Sequence, residues 1–191
     1  MSSATNGLLG VFKGLSGAKA RVDANYIRPG RYWARINKVV LKKSRKDDTF
    51  IAIEMTVLAI HDDAKLQQKP GQHCHSVGEA MTHMMMAKHD SFLGNVKAFL
   101  ANVLGVNEAE ITEDNAVEVC SDSQPLSGTI VEVNAHNIVT RKNTDFTAVN
   151  YMREVRAEEA LAALPAEIVA RYFPGNYLQN VAAAEAAQAK G

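Results

Sequence analysis

The chain has 191 residues, 47% of them hydrophobic and 22% charged, with a formal net charge of zero. Those proportions exclude a disordered polyelectrolyte and suit one well-buried domain with appendages. With no net field, a charged partner has to be recognised through uneven placement of charge.

Residues 1–25 mix Ser, Ala, Gly and Asn with the spaced apolar residues Leu8, Leu9, Phe12 and Leu15. This is an N-terminal arm, either a loose terminus or a segment that orders against a neighbouring protomer. It lacks the cationic start and continuous apolar core of a signal peptide, and no apolar run elsewhere reaches membrane-spanning length. The expected location is the cytoplasm, with no membrane partner. The two cysteines, Cys74 and Cys120, make no disulfide framework and read as reduced thiols.

Residues 30–62 show the longest two-residue alternation in the chain, which predicts a β-hairpin. If Tyr32, Ala34 and Ile36 face a core, then Arg31, Trp33, Arg35 and Asn37 face the other way. On the returning strand Ile51, Ile53, Met55 and Val57 form the inward set, leaving Phe50, Ala52, Glu54 and Thr56 outside with Trp33. The linking turn carries Lys42, Lys43, Arg45 and Lys46 ahead of Asp47 and Asp48. From Lys19 to Lys46 the sole acid is Asp23. An open face of Trp and Arg beside a cationic tip suits single-stranded nucleic acid, whose bases stack on aromatics while its phosphates track the cations. The alternative is a solvated hairpin with Trp33 covered by this chain or by a partner.

Residues 64–71 form a loop, and 73–88 predict a third strand interrupted near Gly78, with Met84, Met85 and Met86 filling core gaps. Asp90 and Ser91 precede a helix whose Phe92, Val96, Phe99, Leu100 and Val103 recur at helical spacing, and Gly105 stops it. An acidic connector follows, carrying Glu108, Glu110, Glu113, Asp114, Glu118 and Asp122 and no cation. Residues 127–140 and 145–155 alternate again around a polar tip with Arg141, Lys142 and Asn143, a second hairpin. After Arg156 helix formers take over, Pro165 opens a second short helix, residues 173–177 turn, and an Ala-rich tail ends the chain.

The fold class is therefore mainly β within α+β: a five-stranded OB-type barrel with a helix between strands three and four and C-terminal helices. Three units are expected: the arm over 1–25, an OB-fold nucleic-acid-binding domain over 26–156, and a helical extension over 157–191. The OB-fold binds oligonucleotides or sugars on its strand two and three face and on loops one-two and four-five. Both basic tips fall on those loops.

The opening Gly30-Arg31-Tyr32, the long strand over 51–60, the 92–106 helix and the closing 128–133 and 150–155 strands resemble small phage-encoded single-stranded DNA-binding proteins of OB type. That resemblance covers about residues 26–156 and is one of pattern. It implies non-catalytic, sequence-tolerant binding of single-stranded DNA, with RNA as a possible ligand, self-association into a homo-oligomer, and replication or recombination proteins as partners. The compartment would be the host bacterial cytoplasm. Many such proteins end in an acidic recruiting tail, whereas this chain ends with a lone glutamate and a lysine.

Trp33 is the first candidate stacking platform and Phe50 the second. Arg31, Arg35, Lys42, Lys43, Arg45 and Lys46 are phosphate candidates, joined by Arg141 and Lys142 on the second tip. Tyr151 and Arg153 are further candidates, although a one-residue shift of strand five would turn them inward. Tyr172, Phe173 and Tyr177 read as anchors of the C-terminal helices.

His73, Cys74, His75, His83 and His89 invite a zinc site, with His73 and His75 sharing one strand face, but no ligand pair has the required spacing. Asp47, Asp48, Asp62, Asp63 and Glu79 sit in turns or at strand ends rather than on rigid elements suited to Mg²⁺. No nucleophile motif or phosphate loop occurs. The expectation is a non-enzyme without cofactor or metal. The alternatives are an OB-like module docking a host or phage protein through the Trp33 face and, less favoured, a metal-dependent nuclease.

Overall fold

The computed structural model describes residues 25–62, 69–140 and 143–173. The arm before Asn25, Arg141, Lys142, the turn after Phe173 and Tyr177 lie outside the described residues.

Strong β-formers on both sides of a five-residue link give β1 (Gly30–Lys43) and β2 (Thr49–Ile60), followed by β3 (Ala80–Met86). Next come α1 (Phe92–Leu104), a 3₁₀ turn at Glu108–Glu110 and α2 (Glu113–Val119). A second hairpin, β4 (Ile130–Val139) and β5 (Asp145–Glu154), leads into α3 (Ala157–Ala163) and α4 (Ala166–Tyr172). The strands form one antiparallel five-stranded sheet in the order β3-β2-β1-β4-β5. Among the described residues no ladder joins β3 to β5, so pairing does not close the sheet.

The expected third strand is shorter than its sequence signal, because residues 72–79 run as loop and turn. The acidic connector contains a helix: Thr112 and Asn115 form a capping box, and Val119 is buried against the main core. Gly105 ends α1 with φ of 65°, the left-handed conformation for which glycine is suited.

Alternation along β1 serves two cores. Tyr32, Ala34 and Ile36 join Ile53, Met55 and Val133 beneath α1, whose Val96, Phe99 and Val103 complete the main core. Trp33, on the opposite face, joins Leu58, Ile130, Val155, Leu164 and Phe173 in a second core. Register shifts set this division. Between Trp33 and Ala34 the β2 partner jumps from Ala59 to Val57, which leaves Leu58 as the extra residue. A shift at Asn37 rephases β1, so that Val39 is buried in the main core while Lys38, Val40 and Lys42 turn outward.

The chain enters β1 through a clamp. Tyr32 is fully buried, and its hydroxyl donates to the carbonyls of Arg28 and Pro29 at 3.0 Å each. Its ring folds back over Gly30, where any Cβ would collide with the phenol. Buried His75 receives the Arg28 N–H on Nε2 at 3.1 Å and places Nδ1 3.0 Å from Glu79. Tyr26 makes a parallel bridge with Thr82, so the entering segment covers the first part of the free edge of β3.

Leu58 has no exposed surface and Leu41 is 58% exposed. In urea unfolding, Leu58→Ala should lose about 2–5 kcal/mol and Leu41→Ala less than about 0.5 kcal/mol. Equal losses would contradict the second core.

Candidate nucleic-acid interface

The face carrying Trp33 is closed. The indole retains 9% of its surface, because α3 and α4 bring Ala160, Leu164 and Phe173 over it. His61 meets it edge-on at 5.9 Å between ring centroids. An open Trp33 platform was expected; the second core corrects that, and no base can stack on the indole while these helices are in place. Trp33 Nε1 and Arg35 Nε are buried without a hydrogen-bond partner among the described residues, so Arg35 also turns part of its fork away from solvent.

Two guanidiniums near Trp33, those of Arg31 and Arg153, are matched by acids, whereas Arg35 has no acidic partner among the described residues. Glu132, 4% exposed, lies opposite Trp33 and accepts Arg31 Nε at 2.8 Å, while Arg153 Nε reaches its other oxygen at 3.2 Å. Arg153 also holds Glu159 of α3 at 2.6 and 2.9 Å. That double hydrogen bond lowers the Glu159 carboxyl below its usual range and raises the Arg153 guanidinium. Arg31 and Arg153 therefore tie β1, β4 and α3 together rather than standing free for phosphate.

Tyr151 is inside, not on the expected outer face. A shift opposite Glu132 makes Met152 the extra residue of β5, so Tyr151 pairs with Val133 and turns into the main core while Arg153 stays out. Tyr151 packs edge-to-face on Phe99 at 4.6 Å and meets His83 of β3, whose Nδ1 lies 3.1 Å from the phenol oxygen. Burial pushes the Tyr151 phenol well above its usual value and lowers His83 to about 4. With the phenol protonated and the imidazole neutral, one hydrogen bond between them bridges the two unpaired sheet edges.

The far half of the same face, away from α3 and α4, contributes nothing to the second core. It is built of three cross-strand rungs: Lys42, Phe50 and Met86; Val40, Ala52 and Met84; Lys38, Glu54 and Thr82. Phe50 faces outward as expected but is only 9% exposed, flanked by Lys42 and Met86, so its ring is no open platform. Lys42 crosses the strip to Glu54 at 3.0 Å.

At the adjoining tip Ser44 closes a tight turn with Asp48, and its hydroxyl accepts from the Lys46 and Asp48 N–H groups. Asp47 engages Lys43 at 2.9 Å and Asp48 engages Lys88 at 2.8 Å. Both tip acids are thus occupied, and Arg45 and Lys46 have no acidic partner among the described residues. Across the seam from β3, Phe146 of β5 is 54% exposed and borders the same cavities as Met84 and Met86. Sequence analysis did not single out Phe146, Lys38 or Lys88, and it took Met84 and Met86 as core fillers, whereas they share the outer rungs and only Met85 joins the main core; outward parity after the Asn37 shift would have found Lys38.

The other chemistries gain no geometry. His75 is buried and His73 exposed in a loop, not paired on a strand face. Among the described residues no group of three or more His, Cys, Asp or Glu is placed to hold a metal ion. No described helix is long and apolar enough to cross a membrane. No protein-family model matches the sequence, and no curated protein matches it either.

His83 sets a pH dependence. Its folded value near 4 lies below the value of about 6.5 for an unfolded chain, so the unfolded state binds more protons between those limits. Stability is full above about pH 6.5 and falls as pH drops toward 4. From pH 7 to 5 the loss attributable to His83 is about 2 kcal/mol. The carboxyl of Glu79, lowered chiefly by the Ser76 N–H, adds its loss only at more acid pH. His83→Gln should remove that share of the pH 7 to 5 decline in urea titrations; an undiminished decline would contradict it.

Proposed function

We propose that the protein binds single-stranded DNA, sequence-tolerantly and without catalysis, along the uncovered half of the outer sheet face. Its strand order suits a five-stranded OB-type barrel opened between β3 and β5. In that fold, oligonucleotides lie across strands two and three and between loops one-two and four-five. The β1–β2 tip and the β4–β5 turn are those loops. The observation that carries the proposal is the apolar strip of Val40, Phe50, Met84 and Met86 running from a tip whose Arg45 and Lys46 have no acidic partner among the described residues.

Phosphates follow Arg45, Lys46, Lys42, Lys38 and Lys88, and a base stacks on Phe146, the exposed aromatic at the seam. The ion pairs of Lys42, Lys43 and Lys88 are solvent-exposed, so each is weak and a phosphate can replace the carboxylate. Arg141 and Lys142, which fall between β4 and β5 in the sequence, are further phosphate candidates in this proposal. The protein would coat replication or recombination intermediates in the bacterial cytoplasm as a homo-oligomer, with RNA as the competitor to compare. The alternative of a protein-docking module used the Trp33 face, which α3 and α4 already occupy.

In anisotropy titrations with oligo-dT, Phe146→Ala should weaken binding by about 1–3 kcal/mol. The double change Arg45→Ala and Lys46→Ala should weaken it further and flatten the dependence of log K on log salt by about 1–2. Full affinity in both variants, or no binding by the unaltered protein at low salt, would overturn the proposal.

A further inference from the structure

Three adjoining cavities of about 330, 380 and 480 Å³ run along the β3–β5 seam, and His83 borders all of them. The 380 Å³ cavity lies between β5 and α1 and is of the size class that holds small ligands. Its walls are apolar and aromatic, from Met85, Phe99, Val149 and Tyr151, and its rim carries the amides of Asn95, Asn102 and Asn150. Among the described residues no lysine, arginine or carboxylate lines it. A phosphate would find no counter-charge among them, and a purely aliphatic group would use the apolar walls but not the exposed amides at the rim. A flat, uncharged ring with donors and acceptors along its edge satisfies both the walls and the rim.

Two details sharpen that match. The contact of His83 Nδ1 with the Tyr151 hydroxyl leaves Nε2 as the ring nitrogen without a partner among the described residues. Asn95 donates to Ser91 at 3.3 Å, whereas the side chains of Asn102 and Asn150 make no hydrogen bond among the described residues. The cavity therefore offers an imidazole edge and two reorientable amides around an aromatic floor. Edges of this kind distinguish one base from another, because an unmatched buried donor or acceptor costs more than a matched one gains.

We infer that the cavity bordered by His83, Asn102 and Asn150 receives one unstacked nucleobase of the bound strand and gives an otherwise sequence-tolerant protein a base preference. The inference rests on the proposed binding of single-stranded DNA, whose phosphates stay outside on the cationic rim.

The test uses the full chain and dye-labelled dT, dC and dA homopolymers of equal length, by anisotropy at several salt concentrations. Two variants probe the cavity: Asn102→Ala with Asn150→Ala, which removes the amides, and Ala98→Trp, which fills the space from the exposed side of α1. The unaltered protein should prefer one homopolymer by roughly fivefold or more, and both variants should bring the three within about twofold. Neither variant should alter the salt slope, which reports phosphate contacts. Equal affinity for all three homopolymers, or a preference that survives both variants, overturns the base pocket and leaves DNA binding standing. Failure of the unaltered protein to bind any of the three at low salt removes both.

Discussion

Strand β1 is hydrogen-bonded on both edges, to β2 and to β4, and its side chains are committed alternately to two cores. From Gly30 to Ile36 all its residues but Arg31 and Arg35 are buried. Tyr32, Ala34 and Ile36 are held below by α1, and Trp33 is held above by α3 and α4. The sheet can still offer a working face because the shift at Asn37 ends the arrangement halfway along the strand, beyond which the outer side chains are Lys38, Val40 and Lys42. Three extra residues, Asn37, Leu58 and Met152, thus decide which side chains are structural and which meet solvent.

Charge follows the same division. At the covered end Glu132 serves Arg31 and Arg153, and Glu159 fixes Arg153 to α3. Glu132 is buried, so removing either arginine would leave a charge poorly compensated inside the protein. At the uncovered end the ion pairs are exposed, and two cations of the tip are left over. A chain with zero net charge can therefore still present a local cationic edge to a polyanion.

The hairpins and α1 were legible because their periods are long and uninterrupted: the inward sets of 32–36 and 51–57 and the helical spacing of Phe92, Val96, Phe99 and Val103 all lie where alternation puts them. The outward orientation of Trp33 was legible for the same reason. Its burial was not, because α3 and α4 are short and reveal only after folding which surface they cover. Tyr151 and Arg153 looked equivalent in sequence, since a strand shift leaves no composition signal; Met152 separates them. The helix at Glu113–Val119 was hidden by its acidity, with Val119 buried in the main core and Ala116 packed partly against it. Phe146 was passed over as an ordinary strand former, and its exposure follows from the unpaired edge of β5.

If the protein binds single-stranded DNA as proposed, where the strand lies is the central question, and hydrogen–deuterium exchange with and without saturating oligo-dT answers it most directly. The account predicts slowed exchange at residues 42–50, 84–89 and 143–148, with residues 157–173 and the start of β1 unchanged. Slowed exchange at 157–173, or faster exchange there as α3 and α4 lift away from Trp33, would place the nucleic acid on the closed face and contradict it.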